Sequence, residues 1–153
     1  MASKIDFRRK EVQEALRKGV ASGLTKVTLS LQRRIRKKLN KPGTGKFYGD
    51  HQASAADGKS PPAKKSGNLA NSWIAATQRG PVKHDKGIGI ALRPAEVGGA
   101  TKYGFWLEYG TTRMVKRPYI RPSVQQLNRN KRAVKIVENQ LVRHIAFANR
   151  MVN

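Results

Sequence analysis

The chain has 153 residues, enough for one modest core and too few for two. Lys and Arg number 32 against 9 Asp and Glu, a formal charge of +23, with an isoelectric point near 11.2. There is no cysteine, which excludes disulfides, thiolate zinc sites and cysteine nucleophiles, and His51, His84 and His144 stand apart without metal-ligand spacing.

No apolar run approaches the roughly 18 residues of a membrane span, and "MASKIDFRRK" lacks the apolar core of a signal peptide. The expectation is a protein that is cytoplasmic at synthesis, with no membrane partner, no metal and no cofactor. So large a positive excess by itself favours a polyanionic partner: most often nucleic acid, otherwise an acidic protein surface or an anionic membrane surface.

In chain order, Val12, Leu16, Val20, Leu24, Val27, Leu31, Ile35 and Leu39 recur at spacings of four and three and predict one amphipathic helix. Gly19 and Gly23 lie four apart inside it. Each weakens a helix by roughly 1 kcal/mol relative to Ala, which leaves either a close packing partner or a tolerated weak point. "LNKPGTGK" stops the helix. Residues 41–67 then form a long basic loop rich in Gly, Pro and Ser, too long for a mere connector and expected to be functional or to order on binding.

"NSWIAATQ" and "GIGIALR" read as two strands separated by the turn-rich "RGPVKHDK". A second long helix is expected from near Ser123 towards Asn149, its apolar stripe marked by Val124, Leu127, Val134, Val137, Leu141 and Ile145. The fold class is α+β: one domain over residues 1–153, with a small antiparallel β-sheet packed with two long α-helices, N-terminal and C-terminal, and the long loop.

Catalysis has little support. The nine acids are scattered, no Ser-His-Asp arrangement is present, and "PGTGK" follows a helix where a phosphate loop would follow a strand. The chain is expected not to be an enzyme.

Two constellations remain. On the first helix Arg33, Lys37 and Lys41 share one row and Arg34 and Lys38 the next, with Arg36 nearby; Lys64 and Lys65 add a basic segment in the loop. This is either a solvated polar face or a stripe contacting phosphates or an acidic partner, and the chain-wide charge favours the stripe. DNA bound in this way would be held by its backbone, without sequence readout.

The second constellation is "YGFWLEYGTTRMVKRPYIRP", Tyr103 to Pro122. Tyr103, Phe105, Trp106 and Tyr109 are either core, under the sheet, or a subunit interface. Glu108 among them is costly if buried unpaired, so Arg113, Arg117 or Arg121 is expected to answer it. Arg117 and Arg121 each precede a proline and are biased to extended backbone, so "RPYIRPS" reads as a stiff arm leading into the last helix.

This block resembles the signature of the head–tail connector or tail-completion (neck) proteins of tailed double-stranded DNA bacteriophages. Tyr103, Leu107, Glu108, Tyr109, Gly110, Thr111, Met114, Arg117, Pro118, Tyr119, Arg121 and Pro122 fall on its pattern, with Gly104 where the family usually has Ala. "GKSPPAKKSGNLANS" is similar to the family's second mark through Gly58, Pro61, Pro62, Gly67, Leu69 and Ser72, with Ser66 in the place of Thr.

The resemblance implies a non-enzymatic virion component, assembled in the host cytoplasm into a homo-oligomeric, six-fold ring at the neck. Its partners would be the head connector and the tail terminator, with double-stranded DNA passing through. Tyr103, Trp106, Glu108, Tyr109, Arg117, Tyr119 and Arg121 are the candidate assembly residues. The alternative is a sequence-independent nucleic-acid-binding protein acting through its basic helix; a ribosomal or RNA-associated protein fits the composition alone.

Overall fold

The computed structural model describes residues 9–75, 82–84, 87–89, 92–94 and 100–150. The helix expected from the apolar spacing is α1, Arg9–Leu39. The loop that follows carries a minimal antiparallel pair, β1 (Phe47–Tyr48) with β2 (His51–Gln52), and a single helical turn, α2 (Asn68–Asn71). Next come β3 (Trp73–Ala75), β4 (Val82–His84), β5 (Gly87–Gly89) and β6 (Leu92–Pro94). The chain ends in α3 (Ala100–Tyr109), α4 (Ile120–Asn128), a 3₁₀ turn at Arg129–Lys131 and α5 (Arg132–Arg150). Helix dominates and the strands are short antiparallel pairs, an α+β arrangement at a coarse level.

The strands are distributed differently from expectation. β3 pairs with β6, Trp73 opposite Pro94, while β4 pairs with β5, Val82 opposite Gly89. Val82–His84 lies in the stretch read as turn, and "GIGIALR" divides between β5 and β6. Asn71 and Ser72, expected in the first strand, end the helical turn α2 instead, and residues 76–78, 90 and 91 of the two predicted strands lie outside the described residues.

The last helix is two helices. Asn130 and Lys131 take positive φ, 59° and 54°, and break the rod between α4 and α5. The sequence carries a trace of this in "NRNKR": apolar positions jump from Leu127 to Val134, and Asn tolerates the left-handed conformation better than most residues.

α5 packs antiparallel on α1, with Gly19 against Leu141 and Gly23 against Val137. A Cβ at Gly23 would stand 2.9 Å from the Val137 Cα, so the glycines admit the partner backbone, and the packing-partner reading holds. That approach also shifts the contact line on α1. Its buried residues here are Ala15, Gly19 and Gly23, while Val12 and Leu16, expected inside, are exposed. Gln140 of α5 is buried in the seam, where its Oε1 accepts from Ser22 Oγ at 3.2 Å and from Lys26 Nζ at 2.8 Å.

The core proper sits at the other end of α1. Ile35, Leu39, Ala70, Trp73, Leu107 and Tyr119 form it, with Leu31, Leu69, Met114 and Ile120 packed around. Gln32 Nε2 and Arg36 Nη2 both donate to the Trp73 carbonyl, at 2.7 and 3.1 Å, and tie β3 to α1.

The long loop is held by its own hydrogen bonds. Gly45 and Ala53 N–H groups donate to the Ala53 and Lys46 carbonyls, Lys64 N–H returns to the Lys41 carbonyl, and Ser54 Oγ donates to the Pro61 carbonyl. Asp57 accepts from the Lys59 and Ser60 N–H groups and from Ser60 Oγ, and these donors hold its carboxyl down to about 2. Among the described residues no helix is long and apolar enough to cross a membrane.

Candidate functional site

α3 is organised inversely to an ordinary surface helix. Its buried face is Gly104, Leu107 and Glu108, at the i, i+3, i+4 spacing that shares one side of a helix. Its exposed residues include all four aromatics: Tyr103 is 50%, Phe105 61%, Trp106 48% and Tyr109 54% accessible. The core reading of this block therefore fails for the aromatics. Phe105 and Tyr109 stack on each other with centroids 4.7 Å apart, and the Arg121 guanidinium lies over the Tyr109 ring at 5.2 Å. Phe47 and Tyr48, which the sequence reading passed over, are also exposed, at the β1–β2 hairpin. Aromatic residues beside glycine in a turn-rich loop were the available signal.

Glu108 is 4% exposed, and its partners are not those expected. Its Oε2 accepts from the Tyr119 and Ile120 N–H groups at 2.7 and 2.8 Å, and its Oε1 from the Arg121 N–H at 2.9 Å. No guanidinium of Arg113, Arg117 or Arg121 binds it; Arg121 answers through its backbone. The reason lies in what begins there. The first four N–H groups of a helix lack intrahelical acceptors. In α4 three of them, at residues 119, 120 and 121, meet one carboxylate, and the fourth position is Pro122, which has no N–H. The positive end of the helix and three fixed donors neutralise the charge without ordering a long arginine side chain.

The same geometry corrects the arm. α4 begins at Ile120, not near Ser123, and Arg121 is helical despite preceding Pro122. The extended part is shorter, residues 115–118. It is anchored at its start by a tight turn in which Thr111 and Met114 exchange backbone hydrogen bonds, and at its centre by Arg117 N–H donating to the Leu107 carbonyl at 2.6 Å. Gly110 ends α3 at φ 81°, where a Cβ would lie 2.9 Å from both the Lys116 nitrogen and the Met114 oxygen. The turn therefore requires glycine.

Tyr119, at the end of the arm, is fully buried. Its hydroxyl donates to the Gly104 carbonyl at 3.3 Å and its ring meets Trp73 edge-on at 6.0 Å. Burial pushes its phenol up to about 12, and the Glu108 charge adds to the shift. A Cβ at Gly104 would come within 2.8 Å of that hydroxyl, which relates the glycine in this chain to the tyrosine.

The basic residues separate by role. Arg33, Lys37, Lys41, Lys64 and Lys65 are exposed, Arg34 and Lys38 half-buried. Arg36 is committed inward to the Trp73 carbonyl, so it serves the fold before any partner. Lys64, Lys65, Tyr103 and Arg117 come together with His51 around a cleft of about 340 Å³ between the long loop and α3. Tyr103 and Arg117 were assembly candidates and the two lysines anion-contact candidates; the fold makes them neighbours. Arg117 has a buried Nε with no hydrogen-bond partner.

No family model matches the chain, and comparison with curated proteins and with solved structures returns no match.

Proposed function

We propose that this is a structural virion protein of the phage neck, a tail-completion component whose copies form a ring joining the DNA-filled head to the tail. The observation that carries the reading is the exposed aromatic face of α3 standing beside an arm that is rigidly clamped from within. Four aromatics near half exposure would be a solubility liability on a monomer, whereas aromatics and arginine are the residues that anchor subunit interfaces. Glu108 fixes the arm against α3, so Tyr109 and the Arg121 side chain over it present a preformed surface that loses little entropy on association. A ring contact is heterologous, and the face of Phe105, Trp106 and Tyr109 and the loop-side cleft, which meet at Tyr103, are chemically unlike.

Glu108 is chemically spent on backbone N–H groups, which supports orientation over catalysis as its role. In this reading the neighbours are the head connector, the tail terminator and further copies of the chain, and the protein works in the virion after assembly in the host cytoplasm.

The test is electron microscopy of lysates from the encoding phage with this gene disrupted. Full heads beside separate, finished tails are expected; normally joined particles would overturn the assignment. The second reading, a sequence-independent nucleic-acid binder, draws on the exposed Arg33, Lys37 and Lys41 row and predicts joined particles with altered DNA handling.

A further inference from the structure

The kink between α4 and α5 gathers charge that the sequence reading left dispersed. Arg129, Arg132 and Lys135 from the last helical segments and Arg34 from α1 line one open cleft of about 340 Å³, with Gln126 and Asn130 completing it. Three features make this arrangement incomplete by itself. Four cations converge with no carboxylate among the lining residues. Arg34 has its Nε buried with no hydrogen-bond partner. The cleft also lies at the N-terminal end of the 19-residue α5, whose first turn holds no acid, so the helix adds positive potential where cations already repel. An anion in the cleft relieves the repulsion among the four cations and the positive potential of the helix end.

The geometry points to a binding site for the phosphate backbone of double-stranded DNA in the cleft formed by Arg34, Arg129, Arg132 and Lys135. Guanidinium forks match phosphate oxygens two at a time, and three of the four cations are arginine. The cleft also continues into a longer basic track. Lys38 follows Arg34 one turn along α1, roughly 6 Å on, and Lys37 on the neighbouring row and Lys41 just past the helix end are exposed and widen the basic surface. A repeating polyanion is served by such a track, and an isolated acidic side chain is not. The cleft carries no hydrophobic lining residue for base stacking, so contact is to the backbone and sequence-independent. The site is built on elements other than α3, and it stands or falls separately from the neck reading.

The experiment compares two full-length triple variants of equal charge by fluorescence anisotropy with a short labelled duplex of arbitrary sequence. One is Arg129→Gln/Arg132→Gln/Lys135→Gln; the other is Arg17→Gln/Lys46→Gln/Arg143→Gln, at exposed positions that line neither cleft. Near 0.15 M salt the cleft triple is expected to bind at least about tenfold more weakly than the parent. The slope of its log affinity against log salt should fall by about 2.7, the loss for three phosphate contacts. The control triple is expected to lose less than about threefold. Equal losses in the two variants would overturn the site, leaving net charge alone as the cause. Unchanged duplex binding with lost binding to polyglutamate would also overturn it, in favour of an acidic protein partner. The three cleft substitutions are at exposed positions and Arg34 is left intact to spare the fold. If circular dichroism shows the triple misfolded, Arg132→Gln alone carries the test, with an expected slope change of about 0.9.

Discussion

Two helices in this protein begin within thirteen residues of each other and treat their positive ends in opposite ways. At the start of α4, Glu108 reaches over from α3 and accepts three N–H groups, and a proline removes the fourth donor. At the start of α5 there is no acid in the first turn; Arg129, Arg132 and Lys135 cluster there with Arg34. The first terminus is complete within the chain, and in a protein with nine acids it takes one of them. The second begins from a 3₁₀ turn, with the Arg132 N–H donating to the Arg129 carbonyl, but it gathers four cations and no acid, the imbalance that a bound DNA phosphate would offset. One terminus is therefore a joint and the other a receptor, although both rest on the same helix dipole.

The sharpest way to break this comparison is at the joint. Glu108→Ala leaves three N–H groups at a buried site without their acceptor, and should destabilise the chain by about 3 kcal/mol, a drop in Tm of roughly 6 to 12 °C. Urea unfolding monitored by circular dichroism measures it. A cost under about 1 kcal/mol would mean that water or a neighbouring side chain replaces the carboxylate, and that the joint is not closed from within.

A smaller effect tests the burial of the same joint. Tyr119 has its phenol raised from 10.0 to about 12 in the folded state. Below the unfolded value of about 10 both states hold the proton, and its contribution to stability is fully present. Between pH 10 and 12 the unfolded chain ionises first, so stability falls as pH rises through that window. The loss attributable to Tyr119 is expected to be about 1 to 2 kcal/mol after allowance for screening. Tyr119→Phe should flatten that part of the alkaline slope, measured as the difference between urea curves of variant and parent. An unchanged slope would show the hydroxyl to be hydrated.

The smallest effect lies at the open terminus and has the opposite sign. Arg132→Glu supplies the acid that α5 lacks and relieves repulsion, so at low salt it should raise stability by about 0.5 to 1 kcal/mol. Duplex DNA affinity should fall in the same variant. A gain in stability with a loss of binding is the signature of a terminus kept unfavourable for a ligand. Loss of both would mean that Arg132 supports the fold, and the contrast with α4 would dissolve.

Much of the fold was legible in the residues because its periods are local. α1 ends at Leu39, where the apolar spacing and the Asn-Lys-Pro-Gly stop place it. The importance of Glu108 was also legible, since a lone carboxylate among aromatics must be satisfied if buried. Its partner was not. Periodicity reveals which side of an element is buried but not what faces it, and backbone N–H groups carry no mark in a sequence. The same limit explains the shifted face of α1: Val12 and Leu16 fit the apolar stripe, yet α5 docks on Gly19 and Gly23, which count as breaks in a one-helix reading.

The sequence by itself determined the charge, the helical periods, the breaks at glycine and proline, and the aromatic block around Glu108. Each depends on residues within a few positions of one another. Only the tertiary structure decided that α3 turns its aromatics outward, that a helix terminus answers Glu108, and that a left-handed kink brings Arg129, Arg132 and Lys135 to Arg34. Those outcomes join residues that are eleven to about a hundred positions apart, where docking geometry and desolvation choose the partner and local propensity has no influence.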